Sequence, residues 1–192
     1  FRFTKKNNMA TDQNIVKSDG NYRDTARKDN IHSLESGLVN HFDKLNLKII
    51  KFKDAYFTIQ NNFRLRLSNQ NFMNASIGVY IPEYFNYWQD EIKPSLNFLV
   101  GKKSSRCTLG YSFLYKKYTD RYAQSAPGSF LDKKLAMWTH NVELGWTLPF
   151  GQRTAFQLTL NMTDAHSNML WQGRYKYNYT GFNMYSGMNF SF

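Results

Sequence analysis

Along much of this chain apolar and polar residues take strict turns. In "RTAFQLTLNMTD", Phe156, Leu158, Leu160 and Met162 fall on one side of an extended backbone. Gln157, Thr159, Asn161 and Thr163 fall on the other. "MWTHNVELGWTLPFG" sets Trp138, His140, Val142, Leu144, Trp146 and Leu148 against Thr139, Asn141, Glu143, Gly145 and Thr147. A period of two is that of a β-strand with unlike faces. "SRCTLGYSFLYKKYTD", "NFMNASIGVYI", "NNFRLRLSN" and "SLNFLVGKK" continue it. "SGLVNHF" and "LNLKIIKF" are weaker, with a phase slip at Ile49–Ile50, and "FRF" at the start reads as part of a strand.

This pattern predicts about ten antiparallel strands. Long connections are expected at 7–30, 82–93 and 119–133 and a moderate one at 164–170. Short ones are expected at 43–44, 53–55, 68–71, 101–104 and 149–152, the last marked by Pro149 and Gly151. Long and short connections alternate, apart from 53–55. Transmembrane barrels segregate their connections in this way, with short turns on the periplasmic side and longer loops outside. The fold expected is therefore all-β, an antiparallel transmembrane β-barrel. It is treated as one domain over residues 1–192 with an incomplete first strand, since Phe1 to Thr4 is too short to span. Either these strands form the barrel or they are the C-terminal part of a larger one.

Composition agrees with that class. Mean hydropathy is -0.60, yet aromatic residues make up 17% of the chain. No run approaches the roughly 18 apolar residues of a membrane helix, whereas alternating strands keep the average polar. Trp138 and Trp146 share a face eight residues apart. That is roughly 26 Å along a strand, or about 19 Å along the membrane normal at 45° tilt. With Phe113 and Tyr115 they are the candidate aromatic girdle, bracketing Val142 and Leu144. His140 interrupts the same face and is expected near the edge of the apolar band, because a mid-bilayer imidazole is costly.

The formal net charge is +11, but the basic residues are scattered, and their pairs at 5–6, 102–103 and 133–134 fall at expected strand ends or turns. No nucleic-acid partner is expected. Arg64 and Arg66 lie opposite Phe63, Leu65 and Leu67. With Lys116 they are candidate lumen cations, either favouring anions or paired with lumen acids such as Glu143.

The chain ends "YSGMNFSF". This resembles the C-terminal assembly signal of Gram-negative outer-membrane β-barrel proteins, with Tyr185, Gly187, Met188, Phe190 and Phe192 in the signal's places. The resemblance implies an outer-membrane location with a periplasmic C-terminus and outward-facing long loops. It also implies reading of the last strand by the barrel-assembly machinery, and closure of that strand against the first. Lipid and lipopolysaccharide are the expected surroundings.

Chemistry is sparse. Asp164 and His166, expected in an outer loop, have the residue types of the omptin protease pair, but the Asp-x-Asp that completes that site is missing. His32–Ser33 and His166–Ser167 are adjacent, so their side chains point to opposite faces of a strand. The four His and the single Cys107 show no metal-ligand spacing. No catalytic residue, metal or cofactor is expected. The leading expectation is a passage, export or porin-like barrel. The alternative is a scaffold barrel whose loops 7–30, 82–93 and 119–133 bind a protein partner, and a rim-active enzyme ranks third.

Overall fold

The computed structural model describes residues 2–16, 22–46, 51–74, 78–101, 105–151, 153–173 and 175–190. They form ten strands: β1 (Arg2–Val16), β2 (Tyr22–Asn46), β3 (Lys51–Ser68), β4 (Phe72–Asn74), β5 (Val79–Ile81), β6 (Tyr87–Val100), β7 (Ser105–Ala126), β8 (Ser129–Pro149), β9 (Thr154–Ser167) and β10 (Tyr179–Phe190). Eight of them make one sheet in the order β1-β2-β3-β6-β7-β8-β9-β10, every pairing antiparallel. The small β4–β5 hairpin lies within the β3–β6 connection. The fold is all-β, and among the described residues β1 and β10 are edges that do not pair with each other.

The register separates the two faces of the sheet. One row of cross-strand partners reads Met184, Leu160, Leu144, Leu109, Leu96 and Phe57. The adjacent row, on the opposite face, reads Asn183, Asn161, Glu143, Gly110, Ser95 and Thr58. Side chains of the polar face bond across strands. Thr58 Oγ1 and Ser95 Oγ are 2.6 Å apart, Thr108 Oγ1 donates to Asn97 Oδ1 at 2.8 Å, and Thr163 Oγ1 donates to Asn141 Oδ1 at 2.9 Å.

The apolar face has no second layer among the described residues. Leu38 is 75% exposed, Phe182 66%, Met162 52% and Leu144 46%. Leu135 is the largest fully buried side chain among them. Soluble sheets bury one face against another layer, and the described residues supply none here.

Several expected connections are strand instead. Residues 43–44 lie inside β2, and 53–55 inside β3. The apparent break at 53–55 is a bulge: Asp54 has φ 45° and the β3–β6 register shifts between Lys53 and Tyr56. Residues 68–71 lead into the β4–β5 hairpin rather than a tight turn. Most of 7–30 belongs to β1 and β2, with 17–21 outside the described residues. Of 82–93, only 82–86 precede β6. Of 119–133, only 127–128 are not strand. The expected connection at 164–170 begins later, because β9 continues to Ser167.

The asymmetry of the two ends takes a different form. At one end β2 and β3, β6 and β7, and β8 and β9 are each separated by four residues. At the other end the connections 69–86 and 168–178 are long. Two hairpins also rise beyond their neighbours there. β2 pairs with β1 to Tyr22, while its pairing with β3 stops at Asp29. β7 and β8 stay paired past Lys117–Ala136, to Ala126–Ser129.

Pro94 sits in the middle of β6. It pairs with Ile59 on β3, but pairing with β7 skips from Ile92–Phe113 to Ser95–Gly110. Proline has no N–H to give a ladder, which accounts for the gap.

The β7–β8 turn needs Gly128, which has φ 75°. Gly128→Val is expected to destabilise the hairpin by about 1–2 kcal/mol. Faster limited proteolysis at 126–129, compared with the parent protein, checks this.

Candidate functional site

The long-connection end carries a basin of about 1040 Å³ above the polar face. It is built by Phe72 of β4, the 82–85 turn, the upper parts of β7 and β8 with the turn between them, the 168–178 connection and the start of β10. Glu83 takes φ 55° in the turn, a conformation rare for a side chain of its kind. Beyond it, Tyr84 stacks on Phe72 with ring centroids 4.1 Å apart. Asn86 holds this turn to the sheet. Its Oδ1 accepts from the buried Ser68 N–H at 2.5 Å, and its carbonyl accepts from Thr119 N–H at 3.1 Å.

The 168–178 connection is fastened by side-chain amides. Asn168 Nδ2 donates to the Lys134 carbonyl at 2.8 Å, and its Oδ1 accepts from Ala136 N–H at 2.9 Å. Asn178 Oδ1 accepts from Ser167 N–H at 2.6 Å. The Gln124 carbonyl accepts from Leu170 and Trp171 N–H at 3.0 and 2.9 Å. Gly173 is needed where it stands: a Cβ there would come within 2.6 Å of the Trp171 ring.

Arg121 joins these segments. Its guanidinium lies 4.9 Å from the Tyr84 ring centroid, 5.1 Å from Tyr118 and 5.6 Å from Tyr177. It also donates a hydrogen bond to the Tyr177 hydroxyl. Its Nε is buried and has no partner among the described residues. Burial pushes the Tyr84 phenol above its ordinary pKa, and the Arg121 charge draws it partly back. Lys116 Nζ sits 3.9 Å from the Tyr87 ring centroid and 4.8 Å from that of Tyr118.

The three expected lumen cations all lie on the polar face. Arg66 pairs with Asp29 at 2.7 Å rather than with Glu143. Arg64 keeps a buried Nε without a partner among the described residues. Lys116 lies over tyrosine rings. Lower on this face, Glu91, Lys93 and Glu143 line a cleft, with Lys93 and Glu91 3.0 Å apart.

The girdle candidates share the apolar face: Tyr115 is opposite Trp138, Phe113 opposite His140 and Cys107 opposite Trp146. Trp88 joins them, its ring 5.2 Å from that of Tyr115. His140 stands opposite Asp164 and lies 2.6 Å from the Tyr111 hydroxyl. Asp164 and His166 are on β9 rather than in a loop, 2.7 Å apart, with Thr180 donating to Asp164 at 2.8 Å. Among the described residues no cluster of three metal-ligating side chains forms. Tyr185 and Gly187 are on the polar face of β10, while Met188 and Phe190 are exposed on the apolar face. Phe192 is outside the described residues.

No family model, curated protein or solved structure matches this chain.

The basin was not expected from the sequence, although its signal was present. "YKKYTDRYA" and "WQGRYKYNY" both interleave tyrosines with cations. Arg121→Ala is expected to lose three ring contacts and to loosen the 168–178 connection by about 1–2 kcal/mol. Arg121→Lys should retain part of this, with the protease cleavage rate in 168–178 as the readout. Gly173→Ala should displace the Trp171 indole and shift tryptophan emission to longer wavelength.

Proposed function

We propose that this sheet is wall from a bacterial outer-membrane β-barrel that serves as a passage or export barrel. One observation carries the reading. An apolar face spanning six paired strands is exposed, while the opposite face is polar and hydrogen-bonded across strands. Water is a poor solvent for such a face and a hydrocarbon layer is a good one. On this reading lipid covers the apolar face and the polar face lines the lumen.

Other features are compatible with it. The sheet has an even number of strands, so β1 and β10 run in opposite directions and could meet as one more antiparallel pair, directly or through further strands. β10 is exposed along almost its whole length. The trio of four-residue connections would face the periplasm, with the basin and the taller hairpins outside, next to lipopolysaccharide. Tyr185, Gly187, Met188, Phe190 and Phe192 would be read by the barrel-assembly machinery.

A second reading, a scaffold that binds a protein partner, draws on the β1–β2 and β7–β8 hairpins. Both rise beyond their neighbours and present long strands rather than the loops first expected at 7–30 and 119–133. Planar-bilayer conductance separates the two: steady channel events support passage, and a silent, correctly inserted barrel supports the scaffold.

The barrel reading is tested on membrane-extracted protein. A gel band that shifts on boiling, with an intact mass near 22.7 kDa, would mean a closed barrel of these strands alone. A shift at a much larger mass would mean additional strands. A soluble, unshifted protein would refute it. The two faces should also differ in their response to charge. Leu144→Arg is expected to cost about 2–4 kcal/mol in lipid, and Thr159→Arg on the polar face about 0.5 kcal/mol or less, measured by reversible unfolding in liposomes.

A further inference from the structure

The basin is electrostatically one-sided. Lys116, Arg121 and Lys176 line it, and none of its described lining residues is acidic. Of the carboxylates next in sequence to lining residues, Asp120 is engaged with Lys134 at 3.3 Å, and Glu83, in the 82–85 turn, is exposed and does not line the basin. The tyrosine rings around Arg121 and Lys116 attract these cations through their π-faces without cancelling their charge. An anion is the complementary ligand.

The shape of the lining narrows the class. Tyr84, Tyr118, Tyr175, Tyr177 and Tyr179 all present a hydroxyl beside an apolar ring, and Trp171 adds an indole. Such side chains suit a ligand that is apolar on its faces and polar around its rim. The rings are not arranged as a parallel slot: Tyr175 and Tyr177 meet at 67° with centroids 6.5 Å apart. A flat base stacks best in a parallel slot, whereas a puckered sugar, with C–H groups on its faces and hydroxyls at its edge, fits angled walls. At about 1040 Å³ the basin is at the top of the range for small-ligand sites, with room for several linked rings.

We propose that the basin binds an acidic oligosaccharide. Its carboxylates meet Lys116, Arg121 and Lys176, and its ring faces lie on Trp171 and Tyr175. Arg121 has a second role here, since the same guanidinium holds the walls together. This inference depends on the basin alone and not on what surrounds the sheet.

The test is calorimetric titration of the purified full chain with tetragalacturonate, and with maltotetraose as a neutral tetrasaccharide. Saturable binding of tetragalacturonate with Kd of about 0.1–1 mM is expected. It should weaken with added salt, and maltotetraose should bind about tenfold more weakly or not at all. Tyr175 and Lys176 are exposed, so the double variant Y175A/K176Q should fold as the parent does, checked by circular dichroism. It should lose about tenfold in affinity. Equal binding of the two sugars, absence of saturable binding, or an unchanged double variant would overturn the proposal. Tighter binding of adenosine 5′-monophosphate than of tetragalacturonate would also overturn it and make the basin a nucleotide site.

Discussion

Everything in this protein depends on one register of backbone hydrogen bonds. Antiparallel pairing lines up Leu160, Leu144, Leu109 and Leu96 on one face and Asn161, Glu143, Gly110 and Ser95 on the other. A slip of one residue at any ladder would exchange faces for every residue beyond it. The side chains hold the register from both sides. Leucines that gain from sharing an apolar layer oppose the slip, and so do the Thr, Ser and Asn bonds of the polar face. Pairing and cross-strand side-chain bonds specify this register without a central core among the described residues.

Where the two faces differ in polarity, the fold was legible in the sequence. In β7, β8 and β9 the alternation marks the apolar face, and the structure places the same residues there. Beyond the apolar band the alternation fades, because neither side of the strand is apolar. "YTDRYAQSAPGSFLDKK" therefore looks like a loop, although most of it is the tip of a hairpin held by backbone bonds. The same holds for much of "KKNNMATDQNIV" and "YRDTARKDN". The bulge at Asp54 was misread for a related reason, while the phase slip at Ile49–Ile50 lies outside the described residues. A period-two pattern shows where its phase is lost but does not distinguish a turn from an extra residue.

The basin was hidden by distance along the chain. Arg121 and Tyr177 are 56 residues apart, and Tyr84 comes from a different connection. Each is an ordinary residue in its own segment, and they converge because β6, β7, β9 and β10 deliver their ends to the same side of the sheet. The residues first singled out at the terminus and as candidate lumen cations were found by local pattern, which such a convergence does not produce, and of them only Lys116 lines the basin. The basin's fastenings, Asn86, Asn168 and Asn178, were likewise invisible, since an asparagine amide that imitates a strand partner leaves no periodic trace.

Pro94 has a mechanical consequence. The ladder between β6 and β7 lacks two consecutive rungs, while the β3 side of the same strand stays continuous through Pro94. A sheet flexes most readily along the line where fewest bonds cross it. The two missing rungs are expected to make the middle of the β6–β7 ladder yield locally, while β3 and β6 stay joined through Pro94.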